Sequence, residues 1–272
     1  MRITFLKEEE NGKMQEFLVM MIVFVLATYL IDFLSKWTFK NRRKPIIICI
    51  DGLIGAGKTT LINNCLLPLL SERGYSVTLV KEPIEEWLKC GIFTRMAQDE
   101  KRWTYHFQTK AFHDRIKEMV RLWNAHSEST DIFLLERSHF SDRIFMKDAY
   151  DRGIVDDLEY SHYSEWWGLW SGIPGVMKPD LFIYLKPSLD IVQERVCERS
   201  RKGEEGISKE RQKGLEKAHD FFLGGNTANI DENHFVPVLH LQTDSNFRDD
   251  IRVQNEILDF LEPSIQKIRR HK

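Results

Sequence analysis

Residues 52–59 read GLIGAGKT, a full G-x-x-x-x-G-K-T pattern between an apolar run, IIICI (46–50), and a helix-like run. In that setting the pattern reads as a phosphate-binding loop. Gly52, Gly55, Ala56 and Gly57 supply the tight turn, and backbone N–H groups through Thr59 and Thr60 point at phosphate oxygens at the positive end of a helix. Lys58 would bridge the β and γ phosphates, and the Thr59 hydroxyl would meet Mg²⁺. Two further clusters end apolar runs. SVTLV (76–80) leads into KEPIEEWL, where Pro83 stops the strand and leaves Glu82 at its tip. IFLLE (132–136) ends on the pair Glu136–Arg137. Either acid alone would pass for a surface group. At the C-terminal tips of strands in an open parallel sheet, however, carboxylates point into the ligand crevice. A hydroxyl attacking a γ-phosphate needs a base or orienting acceptor, for which Glu82 is the candidate. Glu136 is placed for Mg²⁺ or its water shell, and Arg137 for the charge on the transferring group.

The elements that must position these groups follow from the hydrophobic pattern. IIICI, SVTLV, IFLLE, LFIYL (181–185) and VPVLHL (236–241) are short, continuous and rich in branched residues, as expected for strands buried on both faces. Helical periodicity is expected over 59–70, 103–124, 189–201, 209–222 and 249–261. The class is α/β, a P-loop NTPase-type three-layer α/β/α fold with a parallel sheet. Gln108, Ala111 and Arg115 fall at i, i+3 and i+7 on one helix face, and Arg195 and Arg199 at i and i+4. A polar end, a small gap and a charge facing one pocket suit a flat heteroaromatic ligand. A solvated amphipathic face is the alternative.

The chain has 272 residues with 39 Lys and Arg against 41 Asp and Glu, a formal charge of −2. No basic excess marks a nucleic-acid binder. Cys49, Cys65, Cys90 and Cys197 show no metal spacing and no CxxC pair, and read as buried free thiols in a reducing compartment. Residues 17–31, FLVMMIVFVLATYLI, carry no charge, while 35–44 carry five basic residues and no acid. By length and the positive-inside rule, 17–37 is expected to be a single-pass anchor, an N-terminal hydrophobic helix with the rest of the chain facing the cytoplasm. The alternative is a soluble cytoplasmic or mitochondrial protein. The expected division is a polar segment 1–16, the anchor 17–37, a basic linker 38–44 and a catalytic domain 45–265.

GLIGAGKT, EPIEEW, FQT, ERSHFSDR, PDLFIYL, ERVCERSRKGEE and VPVLHL occur in the order and approximate spacing of the deoxyribonucleoside kinase family. The chain resembles its deoxycytidine and deoxyguanosine kinase branch over about residues 45–261. The resemblance implies ATP-dependent phosphorylation of a deoxynucleoside 5′-hydroxyl with Mg²⁺, as part of nucleotide salvage, in a protein that forms a homodimer. It implies Glu82 as general base and Glu136 as the magnesium-site acid, with Arg137 near the 5′-hydroxyl and γ-phosphate. Trp87 and Phe107 would pack around the base, with Gln108 on its edge. Arg195, Arg199 and Arg201 would close over the donor phosphates, Glu204 would reach the 3′-hydroxyl, and Phe247 would pack the donor adenine. The pair Arg115–Asp142, with Ala111 between, accompanies acceptance of dC, dA or dG ahead of dT. Ala97, Met146 and Gly203 depart from the family pattern. Two other readings stand beside it: a non-catalytic assembly subunit at a membrane, and a nucleoside monophosphate kinase. The acidic Glu85 and Glu86 after the EP speak for an uncharged acceptor over the second.

Overall fold

Seven consecutive buried residues, Ile46–Gly52, form β1, which pairs in parallel with β3 (Ile132–Glu136) on one side and β4 (Leu181–Leu185) on the other. The computed structural model describes residues 21, 27–29, 44–204, 206–231, 234–244 and 250–271. β2 (Val77–Val80) flanks β3, and β6 (His234–Leu241) flanks β4, both in parallel. A further strand, β5 (Thr227–Asp231), lies antiparallel at the β6 edge, giving the order β2-β3-β1-β4-β6-β5. This is an α/β fold with a mostly parallel central sheet and covering helices. The core is built on β1, β3 and β4, whose residues are buried throughout, with Phe133, Phe182 and Tyr184 among its largest fully buried side chains.

Helix α1 starts at the phosphate loop. It runs Lys58–Leu61, through a π-helical stretch Ile62–Leu66, into Leu67–Glu72. Short helices α2 (Ile84–Lys89) and α3 (Ile92–Gln98) follow β2. The long α4 (Glu100–His126) is capped by Asp99, whose side chain accepts from the Arg102 N–H. After β3 come α5 (His139–Asp151) and α6 (Asp157–Ser171), each opened by a capping box, on Ser138 and Asp156. Helices α7 (Leu189–Arg199), α8 (Lys209–Leu223) and α9 (Ile251–His271) complete the described chain.

The five expected parallel strands are present. The antiparallel β5 and the helices α2, α3, α5 and α6 lie outside the expected elements, and α9 runs ten residues beyond the expected end with Pro263 inside it. All four cysteines are free, as read, but only Cys49 and Cys65 are buried; Cys90 and Cys197 are exposed.

The expectation of a membrane-spanning N-terminal helix is corrected. About 20 apolar helical residues are needed to cross a bilayer, and among the described residues no helix is long and apolar enough. Within 17–37 the described residues, Met21 and those at 27–29, are helical and exposed; the remainder lies outside the described residues. The single-pass topology is withdrawn with the span. The chain divides into two units, Met1–Arg43 and Lys44–Lys272, and the site belongs wholly to the second.

Candidate active site

The loop between β1 and α1 is shaped by steric necessity at its first glycine. Gly52 sits at φ +141°, and a Cβ there would lie 2.6 Å from the Leu185 carbonyl oxygen on β4. The Lys58 side chain folds along the loop, its Nζ donating to the carbonyls of Leu53 (2.8 Å) and Gly52 (3.4 Å). Burial, reinforced by the nearby Arg137 charge, pushes the Lys58 ammonium down to about 7, against the pull of Glu82, Glu136 and Asp51. One residue on, the Thr59 hydroxyl donates to the Glu136 carboxylate, which projects from the end of β3. A hydroxyl beside a carboxylate at a phosphate loop is a hard-oxygen pair that suits Mg²⁺, which typically takes one or two carboxylates plus phosphate and water. Among the described residues no group of three or more His, Cys, Asp or Glu gathers as a metal cage.

Glu82, beyond the tip of β2, is bracketed by two buried guanidiniums. Arg115 on α4 donates Nη2 to Glu82 Oε1 at 3.1 Å, and Arg137 Nε lies 3.5 Å from the same oxygen. Arg115 also grips Asp142 with two donors, Nε at 3.0 Å and Nη2 at 3.2 Å, and reaches the Glu136 carbonyl at 3.3 Å. Burial alone would raise the Glu82 carboxyl. The charges of Arg137, Arg115 and Lys58 outweigh it and hold Glu82 below the usual carboxylate range. Asp142 ends on the other side: burial raises it despite Arg115. Arg137 follows β3 with φ +64°, a left-handed conformation that costs a non-glycine residue about 1 kcal/mol. It is held by its N–H on the Ile50 carbonyl (3.0 Å), by Nη1 on Asp51 (2.8 Å) and by the Phe145 ring, 4.7 Å from the guanidinium.

These groups face one cavity of about 1240 Å³. That exceeds the ~300–1,000 Å³ of a typical small-molecule pocket and leaves room for two ligands side by side. One end is aromatic. Phe107 meets Trp87 edge-on at 5.2 Å and Phe93 at 5.4 Å, and the Trp87 indole donates to Asp114 at 2.9 Å. Gln108, Ala111 and Arg115 line the same wall of α4, all buried, as the i, i+3, i+7 spacing required. The other end is basic. Arg195 donates to the carbonyls of Thr243 (2.8 Å) and Ala56 (3.4 Å), while Arg199 and Arg201 both pair with the buried Glu204, at 2.5 and 3.1 Å.

Most residues singled out in the sequence therefore converge: Gly55, Gly57, Lys58, Thr59, Thr60, Glu82, Trp87, Phe107, Gln108, Ala111, Arg115, Glu136, Arg137, Asp142, Arg195, Arg199, Arg201 and Glu204 all line this cavity. Gly52 and Ala56 shape the loop from behind. Phe247 lies outside the described residues. The departures are distributed differently. Met146 is fully buried away from the cavity, in a cluster with Phe112, Ile116 and Tyr163. Gly203, at φ +89°, packs against Phe93 so closely that a Cβ would lie 2.7 Å from the ring. Ala97 lines a separate cavity of about 300 Å³ with Glu100, Arg152 and Arg211.

Three buried polar residues were missed. Asp51 accepts from Arg137, from the Gly52 N–H (2.8 Å) and from the Ser141 hydroxyl (2.5 Å), and lies 3.2 Å from His219 Nε2. Although burial works to raise it, the His219 hydrogen bond and the Arg137 charge hold Asp51 far below the usual carboxylate range. The available signal was a charge at the end of a wholly apolar run, which must be paired if buried.

A cavity with a glycine-rich loop at one end and an aromatic slot at the other, with a carboxylate held below its usual range between them, is consistent on this fold with a P-loop phosphotransferase. The chain belongs to the deoxynucleoside kinase family, which matches residues 48–266, and it is an enzyme that transfers phosphoryl groups. It is 38% identical to a probable deoxycytidine kinase of Fowlpox virus, over 78% of this chain and 84% of that protein. Deoxycytidine kinase 2 of Gallus gallus is 29% identical over 82% of this chain and 90% of its own length. Deoxycytidine kinase of Homo sapiens is 26% identical over 74% and 85%.

Proposed function

We propose that this enzyme transfers the γ-phosphoryl group of ATP to the 5′-hydroxyl of a deoxyribonucleoside, dC, dA or dG in preference to dT, in nucleotide salvage. The observation that carries the reading is the Glu82 carboxylate, ionised between Arg115 and Arg137 and facing the same cavity as Lys58. Glu82 accepts the proton of the 5′-hydroxyl, and Lys58 with the loop N–H groups holds the donor phosphates. Arg137 neutralises charge developing on the transferring group. Thr59 and Glu136 would hold the Mg²⁺ that arrives with the nucleotide, and that ion supplies charge neutralisation on the phosphates. Arg195, Arg199 and Arg201 form a helical lid over the donor, and Phe247 packs its adenine. Trp87, Phe107 and Gln108 take the base, and Glu204 the 3′-hydroxyl. Arg115 and Asp142 close the space that a thymine methyl would need. The catalytic domain spans 45–265.

Glu82→Gln tests the base directly. The amide keeps the shape and removes the proton acceptor, so kcat should fall by about 10²–10⁴-fold while ATP affinity stays near that of the parent. Turnover retained in Glu82→Gln would remove the assignment.

A further inference from the structure

We infer, on the reading of Arg137 above, that His219 is a positioning residue for the phosphoryl-transfer site: as an imidazolium it clamps Asp51, which in turn holds the Arg137 guanidinium beside Glu82. His219 lies on α8, is fully buried, and does not touch the cavity. Its Nδ1 is 2.8 Å from the Leu215 carbonyl, which only accepts, so Nδ1 carries a proton. Its Nε2 is 3.2 Å from Asp51 Oδ1, which already accepts from Gly52 N–H and Arg137 Nη1. A neutral imidazole with Nδ1–H would aim its Nε2 lone pair at that carboxylate. The arrangement is satisfied when both nitrogens donate. Asp51 then sits between two cations, with its second oxygen on Ser141.

The groups packed around the ring fit that state. Asp51 faces it from β1, Tyr184 of β4 stacks on it at 5.7 Å with planes 10° apart, and Phe145 of α5 meets it edge-on at 6.1 Å. Asp220, its neighbour on α8, pairs with Tyr184 and Lys186 instead. Phe145 carries Arg137 on its own ring, so one aromatic side chain braces both cations. The same helix grips the phosphate loop about two turns away, where the buried Gln212 donates to the Ile54 carbonyl at 2.7 Å. Helix α8 thus fixes the loop and Arg137 together, and the strained backbone of Arg137 is stabilised by a chain that ends at His219.

Two measurements on the full chain test this. Nitrogen-15 NMR of the folded protein at neutral pH should show both ring nitrogens of His219 protonated; one unprotonated nitrogen overturns the inference. In steady-state kinetics His219→Ala should lower kcat by about 10–100-fold, the usual cost of losing an outer partner, with KM for both substrates changed less than kcat. His219→Gln, which returns a donor toward Asp51, should recover part of that loss. A lower melting temperature with unchanged kcat in His219→Ala, or equal kcat in the two variants, would reduce His219 to a packing residue. If His219→Ala does not fold, the NMR state and the kcat of His219→Gln against the parent still decide, with parental kcat overturning the inference. Arg137→Ala is run in parallel: parental kcat there would remove the reading of Arg137, whereas loss in Arg137→Ala without loss in the His219 variants removes the inference alone.

Discussion

Glu82 is kept ionised at the bottom of a cavity by two guanidiniums, and those guanidiniums are themselves kept in place by Asp142 and Asp51. Each link is a buried charge whose partner cannot be removed cheaply. Arg115→Met alone leaves Asp142 unpaired and should destabilise the protein by about 3–5 kcal/mol in urea unfolding. Replacing Arg115 and Asp142 together by smaller residues should cost less and move preference toward thymidine. A double variant no more stable than the single, with unchanged preference, would contradict both statements. His139 behaves differently. It is fully buried, among the described residues neither ring nitrogen has a hydrogen-bond partner, and burial with the nearby Arg115 charge pushes it down to about 3. An unfolded chain binds that proton near pH 6.5, so between about pH 6.5 and 3 the unfolded state holds more protons and stability falls with acidification. The term amounts to about 2 kcal/mol between pH 7 and pH 5. His139→Leu should flatten the stability profile there; an unchanged slope would mean that other groups set it.

At the scale of elements, what was legible tracked how completely each segment is buried. The runs at 46–50, 132–136 and 181–185 are buried on both faces, so they were continuous apolar runs and read as strands. β5, TANID, sits at the sheet edge with Thr, Asn and Asp among its five residues, and carries no such signal. Helix α6 is equally silent, because Tyr160, Tyr163, Trp166, Trp167, Leu169 and Trp170 lie around most of its circumference and leave no clean 3.6-residue stripe. Helix α9 passes its expected end at 261 and continues through Pro263, because Leu261 and Ile265 on either side are buried and the packing carries the helix through. In the site the residues at strand tips and on the loop were legible because their positions follow from the fold class. Asp51, Ser141 and His219 were not, because they act through contacts 86 or more residues apart, between Asp51 and Arg137, Ser141 or His219.

Leu158, Trp166 and Leu169 fall on one face of α6 and are 78%, 45% and 68% exposed, with Trp166 stacked on Trp170. Across the second unit, the loop at one end of the cavity and the aromatic slot at the other support the proposal that a nucleotide donor and a planar uncharged acceptor meet at Glu82. The most direct test is phosphoryl transfer by the full chain with Mg-ATP and each of the four deoxynucleosides in parallel. The account predicts 5′-monophosphate from dC, dA or dG ahead of dT; product from dT alone would contradict the specificity, and no product from any of the four by a folded, ATP-binding protein would contradict the central claim.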